Sequence, residues 1–147
     1  DAPASTMDLI PTMLDLADAE TGAELDGVSQ LPVLADPQQN AREDVVISFD
    51  RYGLNQHAYA GFFPIRCLRT ERWKLNINVF DKDELYDMDS DPEERNNLID
   101  APAYAEVRDA LHDRLIHQLH QLNDPMRGET VTRRSWRESP PGQFRIC

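Results

Sequence analysis

The sequence predicts an α+β fold, in which a four-stranded antiparallel sheet is packed by a long C-terminal helix. Apolar and polar residues alternate through 73–79 between short polar breaks, a pattern typical of a strand within a β-meander. Apolar residues recur at helical spacing through 101–123, and Asn123-Asp124-Pro125 ends that pattern. Consecutive strands followed by a helix indicate an α+β unit.

The N-terminal region is predicted to be helical. Residues 5–17 place apolar side chains on one helical face, with Ser5 and Asp8 as candidate caps and Gly22 as the end. Because proline disfavours a helix interior, the regular helix is expected to begin only near Pro11, after a looser turn.

A second, shorter helix and the first strand are expected next. Ser29 is placed to cap a helical piece that runs through Leu34, and the polar run 35–44 then forms a surface connection. The apolar run 45–49 is consistent with a buried strand. The polar and aromatic stretch 50–64 reads as a long loop, and long loops in compact domains are often functional.

The meander is completed by the segments on either side of 73–79. The runs 65–69 and 84–87 are separated from it by turn-length polar breaks, so all three should pair as antiparallel neighbours. Asp91 and Pro92 then suggest a helix start, with an N-cap and a proline in the first helical position.

Residues 65–98 read I-R-C-L-R-T-E-R-W-K-L, then E-L-Y-D-M-D-S-D-P-E-E-R-N-N-L after the hairpin turn. This resembles the C-terminal region of the formylglycine-dependent sulfatases, with their "R-T-x-x-[WY]-K" and "E-L-Y-D-L-x-x-D-P-x-E-x-x-N-L" stretches. The matching residues are Arg66, Arg69, Thr70, Trp73, Lys74, Glu84, Leu85, Tyr86, Asp87, Asp91, Pro92, Glu94, Asn97 and Leu98.

Two further stretches extend the resemblance. The family's "D-L-x-P-T-L-L-x-L-A … L-D-G-x-S-L-x-P-L-L" is matched by Asp8, Leu9, Pro11, Thr12, Leu14, Leu16, Ala17, Leu25, Asp26, Gly27, Ser29, Leu31, Pro32 and Leu34. A weaker tail match rests on Asp124, Pro125, Arg127, Gly128 and Trp136. The resemblance implies that residues 1–38 end a sulfatase α/β catalytic domain. It also implies that residues 39–147 form the C-terminal subdomain with an extended basic tail.

The resemblance also implies what this chain lacks. Sulfatases use a Cys or Ser in Cys/Ser-x-Pro-x-Arg, oxidised to formylglycine, with a divalent cation that is usually calcium. Cys67 is followed by Leu68-Arg69-Thr70-Glu71, without the proline, and Cys147 ends the chain. We therefore expect no catalytic residue, metal ligand or cofactor in this chain, and place calcium and formylglycine in an N-terminal part outside it. The parent would hydrolyse sulfate esters or sulfamates.

The formal net charge is −12, and all but two of the 27 acidic residues lie in 1–124. A body this acidic repels nucleic acids and anionic membrane surfaces. No apolar run approaches the roughly 20 residues that a membrane span needs. The basic tail is expected to fold back onto the acidic body. The two cysteines do not fix the compartment; the resemblance suggests an exported, periplasmic or lysosomal protein and leaves the cytoplasm open.

Asp87-x-Asp89-x-Asp91 looks like the opening of an EF-hand. However, Pro92 stands where that loop needs glycine, and Leu98 where it needs a bidentate glutamate, so turn chemistry is the preferred interpretation.

Two other clusters also have simpler interpretations than ligand binding. His117 and His120 have a spacing that suits a metal, but a solvated helix face is favoured because no third ligand lies nearby in sequence. For Arg69, Arg72 and Lys74, cross-strand pairing with acidic residues is the simpler account.

The loop around His57 is the candidate recognition site. His57 suits the anionic groups of a sulfated small molecule or saccharide, and Tyr52 or Tyr59 could form a stacking wall. Arg51 in the loop and Arg66 just after it are weaker candidates. A surface loop without any ligand remains the alternative.

The expected partner of this chain is its own N-terminal catalytic domain. The helical segments carry apolar faces with no strands to cover, formed by Leu9, Met13, Leu16, Leu31 and Leu34. These faces should meet that domain or, in an isolated chain, form homo-oligomers. Two alternatives stay open: part of a phosphonate or phosphate monoester hydrolase that shares the alkaline-phosphatase-like architecture, and a non-catalytic acidic interaction module.

Overall fold

The computed structural model describes residues 3–52 and 61–137, without the side chains of 51, 52, 61, 62, 129 and 130. In these residues no helix is both long and apolar enough to span a membrane. A 3-10 turn at Thr6–Asp8 comes first, and another at Pro102–Tyr104 precedes the long helix. The remaining elements, in chain order, are α1 Leu9–Leu16, α2 Leu31–Ala35, β1 Asp44–Tyr52, β2 Gly61–Thr70, β3 Trp73–Asn78, β4 Glu84–Asp87, α3 Ala105–Gln121 and α4 Glu129–Thr132.

The chain forms two compact units. The first comprises residues 1–45 and 69–71, and the second comprises residues 46–68 and 72–147. The strands follow one another in the sheet in the order β1-β2-β3-β4, and the sheet is antiparallel. The predicted α+β class, with four antiparallel strands and a long C-terminal helix, is therefore confirmed.

The first unit is organised by the capping box that the sequence predicts. Ser5 and Asp8 cap each other's backbone in the 3-10 turn. The regular helix begins at Leu9 rather than near Pro11, because the third residue of a helix has no N–H partner inside it and proline loses nothing there. The expected end at Gly22 is wrong: α1 stops at Leu16, and Asp18 follows with a φ of 49°.

The second helix runs one residue beyond the predicted Leu34. Gln30 occupies its N-cap position, and the Ser29 hydroxyl accepts the N–H of Leu31 at 3.3 Å. Ser29 therefore does bond the first turn, from one residue further out than a standard cap.

The first two strands are longer than their apolar runs. β1 extends to Tyr52 and β2 begins at Gly61, so the expected loop 50–64 is wrong at both ends. Pro64 lies inside β2, where its carbonyl accepts the N–H of Val79 at 3.1 Å. Arg66 of β2 also bonds Asp50 of β1. This polar contact joins the two strands beyond the apolar run 45–49, so apolar content alone underestimates the length of β1.

The predicted helix start at Asp91 is also wrong. Residues 88–100 form turns, and Glu94 has a φ of 56° that interrupts any helix. The Asp91 carboxylate accepts the N–H groups of Arg95 and Asn96, at 3.1 and 2.8 Å. Capping is therefore present without a helix behind it, because the chain turns back to bury Ile99 in the core.

The core of the second unit lies between the sheet and α3. It consists of Leu68, Leu75, Ile77, Leu85, Ile99, Leu111, Leu115, Ile116, Leu119 and Val131. The predicted stripe of α3 is confirmed at Leu111, Leu115 and Leu119, whereas Leu122 is exposed. Val131, in the segment expected to be extended, is fully buried in the short helix α4.

Candidate functional site

The predicted recognition residues fall largely outside the description. His57 and Tyr59 lie outside the described residues, and Arg51 and Tyr52 are described only as the last two backbone positions of β1. Arg66 is described completely. Its geometry gives it a role that the sequence did not predict.

Arg66 is a buried clamp in the second unit. Its side chain is 1% exposed, and its guanidinium donates to Asp50 at 2.7 Å through Nη1 and to Asp124 at 2.9 Å through Nε. Burial alone would lower the pKa of Arg66, but the two carboxylates raise it above its ordinary value. The guanidinium thus joins the strand before the loop to the turn after α3. This arrangement suits positioning better than direct contact with a ligand.

The residues that carry the sulfatase resemblance are occupied in holding the meander together. Lys74 of β3 bonds both carboxylate oxygens of Glu94, at 2.8 and 2.7 Å. The Asn97 side chain accepts the N–H of Leu85 at 3.1 Å and donates to the carbonyl of Asp83 at 3.0 Å. Asn97 therefore covers the outer edge of β4, and these matched residues form a scaffold.

Asp87, the first carboxylate of the Asp87-x-Asp89-x-Asp91 run, has an ion-pair partner. Arg72 contacts it through two nitrogens, at 3.0 and 2.8 Å, and the hydrogen bonds from Arg72 hold the pKa of Asp87 below its ordinary value. Arg72 and Lys74 are therefore paired with acidic residues, but the predicted cross-strand geometry is wrong. Arg72 lies in the turn before β3, and Glu94, the partner of Lys74, lies in the turns after β4. Arg69 donates to the backbone carbonyl of Glu71 at 2.9 Å.

The matching residues of the first unit converge on Asp8. This carboxylate is buried and accepts from Ser5, Val28 and Gln30, while Arg42 forms an ion pair with it. Thr12 donates to the carbonyl of Asp8 at 2.5 Å, and its hydroxyl accepts the N–H of Gln30 at 2.9 Å.

Gly27 completes this arrangement. A Cβ at this position would lie 2.1 Å from the carbonyl oxygen of Met7, so only glycine allows the two segments to approach this closely.

The described residues do not fit formylglycine or calcium. Cys67 is buried in β2 and lacks the proline of the nucleophile motif. Within 3–52 and 61–137, no three acidic, histidine or cysteine side chains are grouped so that they could hold a metal ion. Within the part of the chain that the structure describes, neither the nucleophile motif nor a group of metal ligands is found.

Sequence reasoning missed a buried histidine at the centre of the second unit. His112 is 0% exposed; its Nε2 lies 2.8 Å from the carbonyl oxygen of Val131, and its Nδ1 lies 2.8 Å from Nη1 of Arg137. Since the guanidinium can only donate, Nδ1 accepts and Nε2 carries the proton. Burial lowers the pKa of His112 to about 4, with the bond to Val131 opposing the shift and the charge of Arg137 reinforcing it.

As far as residue 137, the basic tail returns onto the acidic body as expected. Arg137 pairs with Asp113 at 2.8 Å, and Arg134 lies 3.5 Å from Asp83. Trp136 anchors this segment, because its indole N–H donates to Asp83 at 2.8 Å and the Arg108 guanidinium lies 4.5 Å from its ring centroid.

One sequence feature could have indicated the burial of His112: it lies on the same face of α3 as the apolar stripe.

Comparison with known proteins identifies the family of this chain. Residues 2–121 match the family described as "N-sulphoglucosamine sulphohydrolase, C-terminal". The chain is 40% identical over 138 residues to the "Uncharacterized sulfatase YidJ" of Escherichia coli K12, covering 94% of this chain and 27% of that protein. It is 35% identical over 103 residues to a "Delta 4,5-hexuronate-2-O-sulfatase" of Bacteroides thetaiotaomicron, covering 69% of this chain and 21% of that protein.

A solved structure gives the same result at the level of the fold. The structure of BT4656 "in complex with its substrate D-Glucosamine-2-N, 6-O-disulfate" superposes with a TM-score of 0.67 at 27% identity, covering 86% of this chain and 25% of that one. The chain thus spans only about a quarter of each of these relatives. The family match covers most of this chain. The chain therefore belongs to the N-sulphoglucosamine sulphohydrolase C-terminal family of sulfatase domains.

Proposed function

We propose that this chain is the C-terminal part of a sulfatase that hydrolyses sulfate esters or sulfamates of a saccharide. The observation that carries the proposal is that the residues matching the sulfatase pattern hold the fold together. Asp8, Lys74, Glu94 and Asn97 are all engaged in holding the fold, and the described residues hold no nucleophile motif or metal cluster. The chemistry, with calcium and formylglycine, would then lie in the portion that makes up most of each relative.

The exposed face of the first unit supports attachment to such a portion. Leu9, Met13 and Leu34 are 57%, 64% and 67% exposed, and Ile10 and Leu16 are exposed to a similar degree. Burying a side chain of this size contributes roughly 1.5 to 3 kcal/mol. An N-terminal catalytic domain would provide the apolar surface that these side chains lack, with residues 1–38 as the end of that domain.

The activity test uses the full-length polypeptide that contains this chain. Sulfate release should be measured on N-sulfated and O-sulfated glucosamine, with a phosphonate monoester and a phosphate monoester as competing substrates. Faster turnover of the sulfated sugars is expected. Preference for either phosphorus substrate would instead assign the parent to the related hydrolases, and no turnover of any of the four would favour an interaction module.

The loop between β1 and β2 is proposed to contact the saccharide beyond its sulfate. It follows Asp50, whose carboxylate is held by Arg66, so the strand end from which the loop leaves has a fixed position. His57 is proposed as the main recognition residue, with Arg51 as a second contact and Tyr52 or Tyr59 as a stacking wall. Arg66 would act on these residues indirectly, as a positioning residue.

Replacement of His57 tests the recognition role in the full-length enzyme. His57→Ala should raise KM for the saccharide and leave turnover of a small aryl sulfate nearly unchanged, because the lost contact is remote from the sulfur. His120→Ala, at an exposed position of α3, is the matched control and should change neither substrate. Equal losses on both substrates would place His57 in the chemical step, and no loss on either would make the loop an ordinary surface connection.

A further inference from the structure

A cleft of about 560 Å³ opens in the second unit where three segments meet. These are the turn between β3 and β4, residues 99–100 before α3, and residues 133–136 after α4. The residues whose chemistry matters are Lys82, Asp83, Asp100, Arg133, Arg134 and Trp136. None of them is among the recognition residues proposed above.

The walls of the cleft are fixed by hydrogen bonds around Asp83. One carboxylate oxygen accepts the backbone N–H of Asn78 at 2.8 Å, and the other accepts the indole N–H of Trp136 at 2.8 Å. Arg134 donates to the carbonyl of Asn78 at 3.3 Å. The hairpin turn and the tail are thereby joined.

Buried charges of both signs face this cleft. The Arg134 side chain is 9% exposed and the Asp83 side chain 5% exposed, with 3.5 Å between the guanidinium and the carboxylate. Burial lowers the pKa of Arg134 and raises the pKa of Asp83. The Arg134–Asp83 ion pair therefore does not fully replace the water that each group loses on burial. Polar groups of a ligand would stabilise the charged forms of both.

At the rim the charges are exposed. Lys82 and Asp100 form an ion pair at 2.6 Å with 62% and 63% of their side chains exposed, so the pair is weak and can open to a ligand. Arg133 is also exposed. The cleft thus combines three cations with the carboxylates of Asp81, Asp83 and Asp100.

This composition restricts the chemical class of ligand. The volume lies within the 300 to 1,000 Å³ range that is typical of small-molecule sites. Three carboxylates disfavour a phosphate or nucleotide, and three cations disfavour a free metal ion. Most of the lining residues are polar or charged, and the Ile99 side chain is 0% exposed, so an apolar ligand is also unsuited. A molecule with several hydroxyl groups and one anionic group satisfies both sets of charges.

We propose that this cleft binds an acidic sugar residue, whose hydroxyls donate to Asp83 and Asp100 and whose carboxylate or sulfate accepts from Arg133 and Arg134. The site would hold a saccharide without taking part in hydrolysis. It therefore does not depend on the proposed sulfatase activity.

The 147-residue chain contains its own reporter for this test. Its two tryptophans give two indole N–H resonances in a ¹⁵N spectrum. Trp136 forms a wall of the cleft, whereas Trp73 lies in β3 against Tyr104, at a ring-centroid distance of 5.8 Å. Titration should use four probes: glucuronate, glucosamine 6-sulfate, glucose and sodium sulfate. We expect a saturable shift of the Trp136 indole with one or both acidic sugars, and no shift of Trp73.

Substitutions at the rim distinguish this site from a general charge effect. Arg133→Ser and Lys82→Ala, both at exposed positions, should weaken acidic-sugar binding at least tenfold in combination. Arg95→Ser, at a 75% exposed arginine away from the cleft, should leave binding unchanged. An unshifted Trp73 resonance in each variant shows that the fold is retained.

Four outcomes would overturn the proposal. They are no shift with either acidic sugar, equal shifts with glucose, an equal shift with sodium sulfate alone, and unchanged binding in the double variant. A shift with glucuronate but not the sulfated sugar would assign the anionic group as a carboxylate, and the reverse result would assign it as a sulfate. Both of these results support an acidic-sugar site, whatever the activity assay of the full-length protein shows.

Discussion

Acidification should destabilise the second unit through His112. This imidazole is fully buried, with Nε2 bonded to the carbonyl of Val131 and Nδ1 accepting from Arg137. Protonation of Nδ1 would place a cation against the Arg137 guanidinium, with Arg134 also nearby, while the bond to Val131 and the charge of Asp113 oppose this effect. The charged imidazole therefore fits the unfolded chain far better than the folded one.

The magnitude follows from the two pKa values. Burial lowers the pKa of His112 from 6.5 to about 4, so between these pH values the unfolded state binds more protons than the folded state. The contribution to the free energy of unfolding is complete above pH 6.5 and declines as the pH falls toward 4. At roughly 1.4 kcal/mol for each pH unit, the loss at pH 4 is about 3 kcal/mol.

Urea unfolding from pH 7.5 to pH 4, followed by far-UV circular dichroism, measures this loss. His112→Gln removes the titration while its amide can still donate to Val131 and accept from Arg137. The free energy of unfolding of the wild type, relative to that of His112→Gln, should fall by about 3 kcal/mol as the pH falls from 6.5 to 4. His120→Gln, at an exposed position, should follow the wild type. If wild type and His112→Gln lose stability in parallel, His112 is not held neutral by the fold, and this reasoning is refuted.

Three further predictions concern the first unit. Asp8→Ala should destabilise it by roughly 3 kcal/mol in the same urea assay, because Arg42 and several N–H donors lose their buried acceptor. Asp15→Ala, on the exposed side of α1, should have little effect. Gly27→Ala should cost about 1 to 3 kcal/mol, since the added methyl group overlaps a backbone carbonyl; unchanged unfolding would contradict that close approach. The isolated chain should self-associate or bind its upstream domain through Leu9 and Met13, and hydrogen exchange that is already slow across α1 in a dilute monomer would argue against this docking.

The fold was predictable where local patterns and tertiary packing agree. The alternation in β3 and the apolar stripe of α3 each specify one buried face, and the structure uses both. Asp91 shows where such reasoning fails. Its capping bonds form as expected, but the chain must bury Ile99 instead of continuing a helix, and no local pattern encodes that choice.

The polar interactions were harder to predict because they join distant residues. The sequence neighbours of Arg66 suggest a ligand, and the sequence gives no sign of its partners Asp50 and Asp124, the latter 58 residues away. His112 was overlooked because a histidine within a helix is usually solvent-exposed, and its burial depends on Arg137 reaching it from the tail. Periodicity identifies a buried face, but it does not identify the polar partner that makes a buried imidazole acceptable.

The most direct test of the account measures sulfate release by complementation. The upstream part of the polypeptide and the chain of residues 1–147 should be expressed separately and assayed on sulfated glucosamine, alone and mixed, with the full-length protein as reference. We predict no turnover by residues 1–147 alone, with or without calcium, and recovery of activity only when both parts are present. Sulfate release by the 147-residue chain alone, persisting through repurification, would contradict the claim that this chain supplies the scaffold while the chemistry lies elsewhere.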